Sequence, residues 1–169
     1  LQARRSGIHP LNPRRQTGYA TAVTTAAAAA TAPPCLSLGI MAWNEEDGIA
    51  RTLESLFQQS VFRELAARGE RCEIFCLANG CTDRTVEVAR DVFRRMELTH
   101  PEAATFTLHV MEIKEPGRNN AWNRFVHDFS ARSTRFIGLM DADIIFHHPD
   151  TILRLCTTLE QNTRAGVST

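Results

Sequence analysis

Two carboxylates, Asp141 and Asp143, follow an apolar stretch of Phe, Ile, Leu and Met with one alanine between them. Residues two apart on an extended backbone point to the same side and lie about 6 to 7 Å apart, so the two side chains are expected to converge. Like charges that close beside an apolar layer are unfavourable. A divalent cation, a positive side chain or open water must compensate them. The duller alternative is that the two acids only cap the turn into the next helix.

Other groups able to bind a ligand follow other apolar stretches of strand length. They are Trp43, Asn44, Glu45, Asn79, Gly80, Gly117 and Arg118. In parallel sheets, ligands bind at the carboxyl ends of the strands, so one rim would carry an aromatic ring, amides, carboxylates and a guanidinium. Such a set suits a nucleotide with its metal ion. Three of these residues also have a plainer interpretation: Trp43 as rim packing, Asn44 as a turn or cap residue, and Arg118 as a solvated side chain.

Apolar runs of strand length alternate along the chain with segments of helical periodicity. The predicted strands are 35–43, 72–78, 105–113 and 135–140, and residues 165–169 are predicted to begin a fifth. The predicted helices start near Ile49, near Thr82 or Asp83, at about Asn119 (ending near Arg132) and at Pro149; residues 60–71 are predicted to extend the first helix or add a turn. Trp122 is predicted to belong to the core. This alternation predicts an α/β protein, a three-layer α/β/α sandwich with a mostly parallel sheet.

The first 34 residues differ in composition from the rest of the chain. They contain four arginines, no Asp, Glu or Lys, and a run of five alanines, which predicts a disordered arm over 1–34 and a folded domain over 35–169. A linker or upstream tail is favoured over a transit peptide. The whole chain has a formal net charge of zero and the arm carries +4, so residues 35–169 carry a net charge of about −4. This charge disfavours a nucleic-acid partner.

Cysteine content and hydropathy bear on the cellular setting. The five cysteines are odd in number and lack paired C-x-x-C spacing, which indicates free thiols in a reducing compartment. No window reaches the roughly 18 apolar residues that a transmembrane helix needs. We therefore expect no transmembrane segment in this chain and a cytoplasmic protein, with peripheral membrane contact as the alternative.

Four ordered segments, IMAWNEEDGIARTLESL, CLANGCTDRTVEVA, GRNNAWN and FIGLMDADIIFHHPDTI, carry a family resemblance. Together they resemble the nucleotide-binding half of a family 2 glycosyltransferase of the Rossmann-like GT-A fold, over about residues 35–169. The resemblance implies that Asp141 and Asp143 form an Asp-X-Asp motif that holds Mg²⁺ or Mn²⁺. It implies nucleotide contacts from Trp43, Asn44, Glu45, Asn79, Gly80, Gly117, Arg118 and Asp141. The chain departs from the family pattern at Ala78, where the family has an aspartate that contacts the base.

The function implied by this resemblance is divalent-metal-dependent transfer of a sugar from a UDP- or GDP-sugar donor, with inversion. The acceptor would be a hydroxyl or a lipid phosphate, on a saccharide, lipid-phosphate or protein partner. The resemblance places the acceptor half and the general base beyond residue 169, so we expect a chain truncated after the fifth strand. Two alternatives stay open. One is a non-catalytic nucleotide-binding module or truncated remnant, and the other is a sugar-1-phosphate nucleotidyltransferase, although AWNEEDG lacks the Gly-rich basic loop that this class needs.

Overall fold

The fold is built on a five-stranded sheet with the order β1-β5-β2-β3-β4. The computed structural model describes residues 2–3, 32–162 and 164–169. The strands are β1 (Gln2–Ala3), β2 (Leu36–Ala42), β3 (Cys72–Asn79), β4 (Phe106–Ile113) and β5 (Phe136–Asp141). The last four pair in parallel, and β1 pairs antiparallel with the start of β5. The mostly parallel sheet expected from the sequence is therefore confirmed.

Helices cover both faces of this sheet. They are α1 (Ile49–Phe57), α2 (Val61–Arg68), α3 (Thr85–Thr99), α4 (Arg118–Arg124) and α5 (Thr151–Gln161), with a 3₁₀ turn at Ala103–Thr105 and a π-helical turn at Phe125–Phe129. The apolar stripes of α1, α2, α3 and α5 pack on one face of the sheet. On the other face, Ala121 of α4 and Phe125 pack against Phe75 and Leu77 of β3. The arrangement is the predicted three-layer sandwich.

The helical layer that contains α4 packs closely against the backbone of β2. A Cβ added at Gly39, in the middle of β2, would lie 2.9 Å from the ring of Phe125. Phe125 is fully buried, and its ring contacts that of Phe75 edge-on at 5.5 Å between centroids. Glycine in β2 therefore lets the end of α4 approach the sheet closely, which sets the position of the residues at the start of α4.

The predicted third helix differs from the observed one. It was expected over 119–132, but its α-helical part ends at Arg124 and continues as the π-helical turn. Trp122, expected in the core, keeps 44% of its surface exposed. Ala121 and Phe125 lie four residues apart and face the sheet, so Trp122, one residue after Ala121, is rotated by about 100° from that face. The prediction of a buried Trp122 was wrong because the helix face that packs on the sheet is centred on Ala121 and Phe125.

Both ends of the chain and the segment after α1 also bear on the sequence predictions. Residues 61–68 form a separate helix, which ends at Gly69 in a left-handed conformation with φ of 65°. Residues 165–169 do not form the expected fifth strand, since Val167 makes only an isolated antiparallel bridge to Gln2. Gln2 and Ala3 form β1, whereas the remainder of the predicted arm up to residue 31 lies outside the described residues.

Two further expectations concern the cysteines and membrane spans. All five cysteines are free, and Cys72, Cys76 and Cys156 are buried. Burial raises the pKa of Cys76 and of Cys156 to about 12. In the described part of the chain, no helix is long and apolar enough to cross a membrane.

Candidate nucleotide and metal site

A cleft of about 460 Å³ opens at the carboxyl ends of β2, β3 and β5. Seven of the nine residues predicted to bind nucleotide or metal line it: Trp43, Glu45, Asn79, Gly117, Arg118, Asp141 and Asp143. They come from four separate segments of the chain. The parallel order of the strands brings these segments together, since the carboxyl ends of neighbouring strands share one edge of the sheet.

Asp141 and Asp143 flank a firmly anchored turn. Asp141 is the last residue of β5 and lies opposite Met41 of β2. The Ala142 amide donates a hydrogen bond to the Met41 carbonyl at 3.0 Å, and the Thr52 hydroxyl donates to the Ala142 carbonyl. Ala142 is buried, with 2% exposure, while Asp143 is exposed. The turn therefore leaves both acids on the cleft.

A positive side chain compensates one of these acids. The Arg118 guanidinium donates a hydrogen bond to Asp141 Oδ2 at 2.9 Å, and both side chains are substantially exposed. Within the described residues, no group of three or more His, Cys, Asp or Glu side chains could hold a metal ion. A cation in this cleft would therefore need oxygen ligands beyond those of the two acids.

Asn79 fixes the segment that carries Arg118. Its side-chain oxygen accepts a hydrogen bond from the Gly117 amide at 3.0 Å. Gly117 has φ of 148°, a conformation that favours glycine, and its carbonyl accepts the first helical bond of α4 from Ala121 at 2.9 Å. The end of β3 is thus connected directly to the start of α4, and Arg118 projects into the cleft from that junction.

Trp43 and Glu45 occupy the wall formed by the loop after β2. The Trp43 side chain is 66% exposed, although it is large and apolar. Glu45 is partly buried, its amide donates to the Thr85 hydroxyl at 2.8 Å, and its carbonyl accepts the amides of Gly48 and Ile49 at the start of α1. An exposed indole on a fixed backbone is suited to stacking on a flat ring.

Two predicted site residues, Asn44 and Gly80, do not line the cleft. Asn44 adopts φ of 53°, and its side-chain oxygen accepts the Thr82 amide at 2.8 Å. Gly80 has φ of 68°, and a Cβ there would lie 2.9 Å from the Cβ of Pro116. Both residues shape the loops beneath the cleft, and their contact with nucleotide stays a prediction.

The family model described as glycosyl transferase family 2 matches residues 37–169. The chain belongs to this family. Among curated proteins, no match was found.

Solved structures agree with the family fold. One is the mannosyltransferase PcManGT from Pyrobaculum calidifontis in complex with GDP-Man and Mn²⁺, with 22% identity, a TM-score of 0.56, and coverage of 76% of this chain and 33% of that one. Another is S. aureus TarS 1-349, with 18% identity, a TM-score of 0.56 and the same coverage of both chains. At these identities the likeness shows the fold, and this chain spans about a third of the length of each of these two chains.

One position of this glycosyl transferase family 2 chain carries no group for base recognition. Ala78 is buried, with 2% exposure, and lies between Ala42 of β2 and Glu112 of β4 in the sheet register. Glu112 does not substitute for a carboxylate in the cleft, since it forms an ion pair with Arg90 of α3 at 2.6 Å. A base bound in this cleft would therefore need contacts from groups other than the side chain at position 78.

Hydrogen bonds that were not predicted from the sequence join the loop after β2 to the loop after β3. The Glu46 amide donates to Asp83 Oδ2 at 3.1 Å, and the Arg84 amide donates to Glu46 Oε2 at 2.8 Å. Asp83 also accepts the Thr85 amide at the start of α3 at 3.0 Å, although the N-cap position of that helix is Arg84. Desolvation raises the pKa of Asp83, but the hydrogen bonds from Thr85 and Glu46 outweigh it and lower that pKa below its usual value. The sequence signal that could have indicated these hydrogen bonds is the presence of an acidic residue in each loop, Glu46 in one and Asp83 in the other.

Proposed function

We propose that this chain binds a nucleotide-sugar donor and serves in the transfer of its sugar to an acceptor. The observation that carries the proposal is the meeting of Trp43, Arg118, Asp141 and Asp143 in one cleft of a glycosyl transferase family 2 chain. An exposed indole, a guanidinium and two carboxylates match the three parts of such a donor with its cation: base, diphosphate and metal ion.

Each side chain has a role in the proposal. Trp43 stacks on the base, and the planar fork of Arg118 binds diphosphate oxygens, a geometry that guanidinium groups favour. Asp141 and Asp143 hold Mg²⁺ or Mn²⁺, because carboxylate oxygens are the hard ligands that these ions prefer. The bound ion would stabilise the negative charge on the departing nucleoside diphosphate.

The proposal also covers the classes of donor, metal ion and acceptor. The complex of PcManGT with GDP-Man and Mn²⁺ supports a GDP-sugar and manganese as one option, with a UDP-sugar and magnesium as the other. We propose inversion at the transferred carbon, with an acceptor hydroxyl or lipid phosphate as the nucleophile.

A donor-hydrolysis assay tests this function. The chain is incubated with UDP- and GDP-sugars, and release of the nucleoside diphosphate is measured with Mn²⁺, with Mg²⁺ and with EDTA. We expect metal-dependent release from one nucleotide class and its loss in Asp143→Asn. A matched control is Asp91→Asn, which removes a carboxylate of an exposed ion pair on α3 and should leave release unchanged.

A non-catalytic nucleotide-binding module is the second candidate, and the departure from the family pattern at Ala78 keeps it open. Calorimetry with UDP and GDP in the presence of Mn²⁺ separates the two functions. Tight binding without donor hydrolysis would support the module. Absence of binding to both nucleotides would contradict both functions.

A further inference from the structure

The ion pair between Arg118 and Asp141 occupies a carboxylate that the proposed metal site also needs. Arg118 donates to Asp141 Oδ2 at 2.9 Å, in a cleft that Asp143 and Glu45 also line. In this arrangement the same guanidinium that would bind a diphosphate already neutralises a proposed metal ligand. A cation that binds Asp141 without a diphosphate would have to break this ion pair or lie close to the positive charge of the guanidinium.

We propose that Arg118 is a positioning residue that makes cation binding at Asp141 and Asp143 depend on a diphosphate. Without a diphosphate, the guanidinium stays on Asp141 and weakens cation binding. When a diphosphate enters, its oxygens take over the guanidinium, which frees Asp141 Oδ2 for the ion. This inference rests on the proposed function, and it adds that ion and diphosphate bind together rather than separately.

The geometry allows this exchange without a change of fold. Arg118 is the first residue of α4, and its side chain is 68% exposed. Its backbone neighbours are fixed by the bonds from Gly117 to Asn79 and from Ala121 to Gly117. The movement is therefore confined to one long side chain on a fixed helix start, and rotamer changes of exposed side chains are fast.

The magnitudes follow from the exposure of the pair. Exposed ion pairs contribute little, so replacing Arg118 with a neutral residue should tighten Mn²⁺ binding in the absence of diphosphate by about two- to fivefold. Bonds between charged groups are stronger, so the same replacement should weaken diphosphate binding in the presence of Mn²⁺ by about tenfold to a hundredfold. The two affinities change in opposite directions, which is the signature of the exchange.

Titration of Mn²⁺ followed by the electron paramagnetic resonance of the free ion provides the test, with protein-free titrations of each diphosphate subtracted because diphosphates chelate Mn²⁺ in solution. Wild type, Arg118→Met and Arg118→Gln are each titrated alone and with pyrophosphate, GDP or UDP, and pyrophosphate reports on the diphosphate without a base. Arg51→Met is the control, since Arg51 is an exposed residue of α1 that does not line the cleft and its loss changes the net charge equally. Circular dichroism and melting temperature confirm that the variants are folded.

We expect Mn²⁺ alone to bind both Arg118 variants more tightly than wild type, and the gain in Mn²⁺ affinity on adding diphosphate to shrink in both. By thermodynamic linkage, the gain in diphosphate affinity on adding Mn²⁺ must shrink by the same factor. Unchanged or weaker binding of Mn²⁺ alone in both variants would overturn the exchange while leaving the proposed function intact. Equal tightening in Arg51→Met would also overturn it, because net charge would then explain the effect. Failure of wild type to bind Mn²⁺ with any diphosphate would overturn the proposed function as well.

Discussion

Replacing Gly80 with alanine should destabilise the fold and disturb the cleft together. Gly80 has φ of 68°, and an added Cβ would lie 2.9 Å from Pro116 Cβ and 3.3 Å from Pro116 Cα. The left-handed conformation costs an L-residue about 1–2 kcal/mol, and overpacking adds about 1–3 kcal/mol. The free energy of unfolding should therefore fall by about 2–5 kcal/mol. Because Pro116 precedes Gly117 and Arg118, its displacement should also weaken nucleotide binding in the cleft.

Gly69 provides a matched control for this prediction. Its φ of 65° is nearly the same, but no heavy atom lies within 4 Å of an added Cβ. Gly69→Ala should therefore lose only the part of the unfolding free energy that comes from the left-handed conformation. The entropy that alanine removes from the unfolded chain is the same for both variants. The melting temperature of Gly80→Ala should be lower than that of Gly69→Ala by about 3–9 °C, at roughly 3 °C per kcal/mol for a chain of this size.

Differential scanning calorimetry measures the two melting temperatures, and isothermal calorimetry with GDP, UDP and Mn²⁺ measures binding. Equal melting temperatures for the two variants would refute the argument that contact with Pro116 requires glycine at position 80. Full nucleotide affinity in a destabilised Gly80→Ala would refute the further step, that this contact positions the start of α4.

Two more predictions concern the cleft. Asp143→Asn removes one negative charge from an exposed side chain, so the melting temperature should change little, while calorimetry should show a smaller gain in nucleotide affinity on adding Mn²⁺ than in wild type; an undiminished gain would show that the acids serve only the turn. In a Trp122→Phe background, titration with GDP or UDP should change the fluorescence of Trp43, since a stacked base alters the environment of the indole. Flat titrations with both nucleotides would remove Trp43 from the site, and Trp43→Phe serves as the control that reports Trp122 alone.

The strands and their ends were predictable because β2, β3 and the first half of β5 are buried on both faces. Such strands read as continuous apolar runs, and each run stops where the chain reaches the solvent at the edge of the sheet. The residues at or just after the strand ends, such as Trp43-Asn44-Glu45 and Asp141, therefore mark this edge in the sequence. Seven of the nine predicted site residues reach one cleft for this reason.

The features that escaped prediction depend on tertiary contacts that leave no periodic signal. The π-helical turn at Phe125–Phe129 contains no proline or glycine that would mark it. The positive φ of Asn44 depends on a bond to Thr82, 38 residues away. Likewise, the residues around Val167 were predicted to begin a strand, but among the described residues they form a single bridge, to Gln2, and a strand requires pairing along its length.

The bonds between the loops after β2 and β3 have a consequence for engineering donor choice. The Asn44 side chain accepts a hydrogen bond from the Thr82 amide. Glu46 donates its amide to Asp83, and its side chain accepts the Arg84 amide. If only the loop that contains Trp43 were replaced by that of a relative, the hydrogen bonds to the loop after β3 would be lost. The backbone that carries the indole would then no longer be fixed. The two loops therefore form a single cassette, and a library that aims to change the accepted base should exchange residues 43–48 and 80–85 as one block.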